Sequence, residues 1–195
     1  PHTKDALRNM DAHLQDLWEN IQQGPRKDSV NLIVVSDHGM TLVSHERKIE
    51  CKKYLNPKWY ERVEGNLPAQ IYCKKGYVDS VYNALKDLPH QRVWRKKDIP
   101  AYLHYGTHVN IGDIVVDPQE GWLVTDDKVK TGGMHGYDPT YSDMQAIFRA
   151  MGPSFRHITY PHFQNVNVYA LLCHLIGITP APNDGNFQEV SPLLN

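Results

Sequence analysis

The sequence predicts an α/β fold, and three observations predict it. An amphipathic helical pattern near the start is followed at once by a short apolar run without alternation. A Gly-Pro pair separates the two, and a polar turn carrying an acid and an imidazole closes the run. Helix followed by buried strand is the pattern of α/β proteins, whose sites gather at the carboxyl ends of strands.

Leu7, Met10, Leu14, Leu17, Trp18 and Ile21 recur at helical spacing and form one stripe. Gly24-Pro25 stops that helix. Residues 30–35 then read as a strand covered on both faces, because the run is apolar at successive positions. Residues 51–118 differ in texture. Short strands are expected at 67–72 and 93–95, with a short helix between them on Val78, Val81, Tyr82 and Leu85. This stretch reads as a small α+β inserted subdomain within one domain spanning residues 1–195. Residues 114–116 and 122–124 are expected as strands joined by the turn Pro118-Gln119-Glu120-Gly121. Residues 125–143 read as a long loop, a feature that compact domains mostly keep for function. Residues 146–151 are a further strand, and 166–176 an apolar helix ended by Gly177.

The bulk numbers narrow the function classes. The chain has 195 residues, 41% hydrophobic and 22% charged, enough for one sizeable core. A net charge of −1 gives no argument for a nucleic-acid duplex or an anionic membrane as partner. No apolar run reaches 18 residues, so no transmembrane helix is expected in this chain. Three cysteines, none in a CxxC pair, make a structural zinc ribbon an unsuitable reading. The opening residues Pro1, His2 and Thr3 follow neither an initiator nor a signal-peptide pattern, so the expectation is a fragment or a processed product.

Chemistry concentrates in two clusters. Ser36-Asp37-His38-Gly39-Met40 directly follows the apolar run, and Gly132-Gly133-Met134-His135-Gly136-Tyr137-Asp138 lies further on. Asp offers a hard oxygen and His a neutral nitrogen, and zinc accepts both. Neighbours in a strand point to opposite faces, so Asp37 and His38 share one metal only if the chain turns there, which Gly39 permits. Gly133 and Gly136 leave the backbone around His135 open to close approach. Bland readings stand beside these. Asp138-Pro139 is an ordinary turn starter. His45, His157, His162 and His174 have no supporting pattern, and His174 reads as a core or boundary residue of the last helix. Lys96-Lys97 reads as a solvated face. Trp59, Tyr60, Trp94, Tyr102 and Tyr105 read as packing residues, with stacking on a base as the alternative.

The order of these motifs resembles the nucleotide pyrophosphatase/phosphodiesterase family of the alkaline phosphatase superfamily. The residues that carry the resemblance are Val35 through Thr41, Asp98-Ile99-Pro100, Leu103-His104-Tyr105, Glu120-Gly121-Trp122, His135-Gly136-Tyr137-Asp138, Met151-Gly152-Pro153-Ser154-Phe155, and Pro180 through Gly185. The resemblance implies an alkaline-phosphatase-like mixed sheet flanked by helices, present as a partial domain. It implies two zinc ions, one held by Asp37 and His38 and the other by His135. It implies hydrolysis of a phosphodiester or pyrophosphate bond through a phospho-threonine, in an extracytoplasmic setting: secreted, periplasmic or membrane-anchored through a segment outside this chain. The family's nucleophilic Thr and its remaining ligands lie upstream of the residues matched. None of Thr3, Thr41 or Thr107 takes the nucleophile's place. The expected partners are therefore a small phosphodiester or nucleotide substrate and the missing N-terminal half of the catalytic domain. A phosphonoacetate hydrolase, a metal-dependent phosphomutase and a non-catalytic interaction module remain as alternatives.

Overall fold

The computed structural model describes residues 2–195; Pro1 lies outside the described residues. In chain order the regular elements are α1 (His2–Gln23), β1 (Leu32–Val35), β2 (Thr41–Val43), β3 (Lys48–Ile49), β4 (Tyr60–Glu64) and β5 (Ala69–Cys73). They continue with α2 (Val78–Leu85), β6 (Gln91–Arg95), β7 (Ile114–Pro118), β8 (Leu123–Val124), β9 (Gly132–Met134), β10 (Phe148–Met151) and α3 (Asn167–Ile176). The chain divides into two compact units, residues 1–37 with 146–195, and residues 38–145.

In the first unit β1 pairs antiparallel with β10, Leu32 opposite Met151 and Val35 opposite Phe148. The ladder runs one step further, with Ser36 N–H donating to the Ile147 carbonyl at 3.1 Å and Ile147 N–H donating to Ser36 Oγ at 3.0 Å. A cluster of Phe155, Leu171, Val190 and Leu193 forms the core, with Ile33 and Phe148 packed against it. α3 ends where expected, at Gly177 in the left-handed conformation. Two expectations change here. Residues 32–34 are only half-buried and Val35 is 46% exposed, so β1 is not covered on both faces among the described residues. An unalternating apolar run reports the cover a strand is suited to, whereas the cover itself must come from a second layer. The helical stripe likewise folds as α1 but buries no residue: Leu7, Met10 and Leu17 face solvent.

The second unit is built on a four-stranded antiparallel sheet in the order β4-β5-β7-β6. Cross-strand partners share a face, so the register places Val93, Val116 and Ala69 on one side and Arg92, Asp117, Trp94 and Val115 on the other. The first side packs on Val81 and Leu85 of α2, making the core with Ile71 and Ile114. The second side is covered by loop segments, which is why every residue of β7 is buried. The expected strands and helix of this region form. Residues 118–121 do turn, Trp122 N–H donating to the Gln119 carbonyl, but β7 and β8 do not pair; β8 runs parallel to β3 instead. Three strands not expected from the sequence, β2, β3 and β4, also form, and the expected long loop contains β9, which pairs with β2.

Ile71 has no exposed surface. Ile71→Ala is therefore expected to destabilise the second unit by about 2–5 kcal/mol, while Leu7→Ala stays within about 0.5 kcal/mol. Urea unfolding followed by tryptophan fluorescence checks both.

Candidate active site

The two sequence clusters sit on short, strongly constrained backbone. β1 delivers Asp37, an exposed residue whose carbonyl accepts a hydrogen bond from Asn165 Nδ2 at 2.9 Å. Asn165 stands just ahead of α3, so that contact fixes the end of β1. Asp37 closes the first unit and His38 opens the second.

Immediately afterwards the chain passes through Gly39. A Cβ there would lie 2.0 Å from the Asp143 carbonyl oxygen and 2.8 Å from that of Gln145, far inside contact distance. Only glycine fits, and its N–H donates to the Met144 carbonyl at 3.0 Å. β2 then pairs with β9, Thr41 opposite Met134. That register brings His38 and His135 together: their rings stack with centroids 3.6 Å apart and planes 14° from parallel. Nδ1 of His38 lies 2.7 Å from the Gly39 carbonyl oxygen. A carbonyl can only accept, so Nδ1 is the donor in this contact. Metal-binding histidines are commonly set in this way, with the second ring nitrogen donating to a carbonyl.

His135 is held from its other side as well. Gly136 has φ +105° and sits so close to the Leu67 carbonyl that a Cβ would come within 2.8 Å. Tyr137 donates its hydroxyl to the Trp122 carbonyl at 3.0 Å, and burial pushes its phenol up to about 12. Asp138, with a side chain only 1% exposed, is no simple turn starter. It accepts from Arg92 Nη2 at 2.7 Å, Tyr102 Oη at 2.6 Å, Thr140 Oγ1 at 2.6 Å and Thr140 N at 2.9 Å. Burial works against its charge, but these donors outweigh it and hold the carboxyl well below the usual carboxylate range. Asp117, which accepts from the same Arg92 at 2.6 Å, moves the opposite way: burial raises it and the guanidinium only partly compensates.

Asp37, His38 and His135 have donor types that suit zinc. Among the described residues, however, no group of three or more His, Cys, Asp or Glu side chains is arranged to hold a metal ion. The fit is that of a contribution to a site. No nucleophile emerges either. Thr41 is buried and donates its hydroxyl to Asp143 Oδ2 at 2.7 Å. The Cys51 and Cys73 thiols are passive, burial pushing Cys51 up to about 12 and Cys73 up to about 11.

Other sequence readings are refined. Trp59 and Tyr60 pack against the sheet core, and His174 stacks on Phe187 at the edge of α3. Lys96 is not a solvated side chain: its ammonium donates to the carbonyls of His108 at 2.6 Å and Ile111 at 3.1 Å, tying down the loop that leads into β7. Arg92, Asp117 and Tyr102 were not read as site residues. The one signal was Asp117 itself, a carboxylate inside an apolar strand, which requires a buried cationic partner.

A family model described as Type I phosphodiesterase / nucleotide pyrophosphatase matches residues 1–138. Human ectonucleotide pyrophosphatase/phosphodiesterase family member 5 is 37% identical over 194 residues, covering 97% of this chain and 41% of that protein. A bis(5'-adenosyl)-triphosphatase from Bos taurus is 35% identical, covering 97% of this chain and 42% of that protein. The solved structure of human family member 5 superposes on all of this chain and on 53% of its own, with a TM-score of 0.90 at 36% identity. An inactive form of the murine family member 5 in complex with AMP superposes with a TM-score of 0.88 at 35% identity. With the stacked histidines in place and a match of this extent, the chain belongs to the Type I phosphodiesterase / nucleotide pyrophosphatase family. Its mixed α/β architecture is a partial domain of that fold, and the chain spans about half the length of the relatives it matches.

Two outcomes are expected. Gly39→Ala should abolish β2–β9 pairing, seen as loss of the Thr41 and Met134 cross-strand NOEs. The second concerns acid. Asp138 is held below its ordinary value of 3.8 in the fold, so its contribution to stability is complete above that pH and is lost as pH falls through the folded value. Asp117, raised in the fold, has the opposite sign: its burial penalty is relieved as pH falls toward 3.8. Stability of the second unit should therefore hold or rise slightly down to pH about 4 and fall below it. Asp138→Asn should flatten the fall, leaving the smaller surface part from Glu50 and Glu64, which their lysine and arginine partners also lower. Urea midpoints measured across pH decide it.

Proposed function

We propose that this chain supplies part of a two-zinc site for hydrolysis of phosphodiester or pyrophosphate bonds in nucleotides. The observation that carries the reading is the stacked pair His38 and His135, with Nδ1 of His38 donating to the Gly39 carbonyl. In this reading Asp37 and His38 hold one zinc and His135 the other. When bound, such a pair stabilises the attacking and leaving oxygens of an in-line displacement. The chain's own residues do the positioning: Gly39 allows the close backbone approach beside His38, and the segment from Gly136 to Asp138 fixes the second imidazole. The nucleophile and the other ligands come from the remainder of the family's catalytic region, since relatives are about twice as long as this chain. The exposed stripe of α1 and the half-covered β1 are surfaces for that remainder to bury. A nucleotide substrate is supported by the AMP complex of the murine relative, and an extracytoplasmic setting by relatives named as ectonucleotide enzymes and as a Crotalus venom phosphodiesterase. Among the described residues no helix is long and apolar enough to cross a membrane.

The test joins this chain to the half of human family member 5 that it does not match. With zinc, the joined protein should hydrolyse bis(p-nitrophenyl) phosphate, and a chelator should stop it. Asp37→Asn, His38→Asn and His135→Asn should each lower kcat/KM by about 100-fold or more. Turnover of phosphonoacetate or isomerisation of a phospho-sugar in its place, or no turnover at all, overturns the reading. So does tight binding of two zinc ions by the 195-residue chain alone, which would mean that nothing is missing from the site.

A further inference from the structure

We infer that Arg92 is a positioning residue for His135, acting through Asp138. Four hydrogen bonds converge on the Asp138 carboxylate. Two come from Thr140, two residues along the same segment, and one from Tyr102, a residue 48% exposed on a neighbouring loop. Only Arg92 reaches the carboxylate from the sheet. Its strand, β6, lies beside β7 in the ladder, with Arg92 directly opposite Asp117. Nε and Nη2 of Arg92 both donate to Asp117 Oδ2, at 3.0 and 2.6 Å, and Nη2 also donates to Asp138 at 2.7 Å. One planar cation thus ties the segment carrying His135 to β7, an inner strand of the sheet. A lysine has a single point of charge and cannot reproduce a fork that engages two carboxylates.

The segment matters to both imidazoles. Its first part, β9, pairs with β2; its last part supplies the Met144 carbonyl that receives Gly39 N–H. Asp138 lies between these two contacts, three residues beyond His135. Releasing it from the sheet frees the stretch between β9 and Met144 and lets the His135 ring leave the face of His38. The cavity of about 170 Å3 that Gly136 and Asp138 share with Trp94 and Tyr105 leaves that stretch room to move.

The functional meaning of this inference rests on His135 being a zinc ligand, but its geometry does not, and the experiment separates the two. In the metal-free chain, stacked imidazoles shift one another's ring protons by ring currents, visible in histidine-selective NMR. Arg92→Met is expected to abolish the mutual shift of His38 and His135 while methyl signals of Ile71 and Leu85 stay in place. Arg92→Lys should give the same loss in part, and Tyr102→Phe should keep the stack. Persistence of the stack in Arg92→Met with an unchanged sheet core overturns the inference. If Arg92→Met also loses the methyl signals, Arg92→Lys decides by the same two readouts. In the joined protein, zinc affinity measured by chelator competition should fall about tenfold in Arg92→Met. If His135→Asn leaves zinc affinity unchanged, the ligand reading of His135 fails, while the NMR result still decides the role of Arg92.

Discussion

Everything at the candidate site depends on a close approach of backbone to backbone at Gly39. The carbonyls of Asp143 and Gln145 occupy the space where a side chain would begin, and the glycine N–H meets the Met144 carbonyl. That contact and the β2–β9 ladder lock two distant stretches together, one following the apolar strand β1 and the other leading out of β9. Stacking of His38 on His135 is the result of this backbone arrangement. A ring-to-ring contact between two imidazoles contributes little by itself, so the backbone must supply the order.

Electrostatics supplies the second layer. Two buried carboxylates and one partly exposed guanidinium meet on the loop-covered face of the sheet. Asp138 has four donors and stays charged; Asp117 is disfavoured by burial, and the arginine fork offsets this in part. A buried ion pair is weak evidence for added stability, because desolvation offsets the attraction. Its use here is geometric: unlike an apolar contact, a saturated carboxylate has one arrangement in which its lone pairs are all met.

How far the sequence was legible follows from what kind of signal each element leaves. α1, α2 and α3 show in the 3.6-residue spacing of their apolar positions, and β5, β6 and β7 in short apolar runs bounded by turns. The pair Asp37-His38 was visible because its chemistry is local and stands at a strand end. His135 was visible through its flanking glycines and through the family's order of motifs. β9 was not, since Gly132-Gly133-Met134 has almost no side-chain pattern and becomes a strand only by pairing with residues some ninety positions earlier. β3, two residues long, leaves no period to detect. Arg92 and Tyr102 escaped for a related reason. Their partners Asp117 and Asp138 are remote in sequence, and a single arginine in an alternating strand looks like any solvent-facing residue until its opposite neighbour is known. The exposed faces of α1 and β1 show the reverse limit: the pattern says which side wants cover, and says nothing of what provides it.

The placement of Asp117 on β7 has one more consequence. β7 is one of the two inner strands of its sheet, hydrogen-bonded on both edges and buried along its whole length. Such a strand is among the last parts of a protein to exchange its amide hydrogens, because exposing it takes a sub-global opening. The arginine that reaches Asp138 is hooked to this slowest strand, so the lifetime of the closed arrangement around His135 is borrowed from the sheet rather than set by the loop in which the histidine lies.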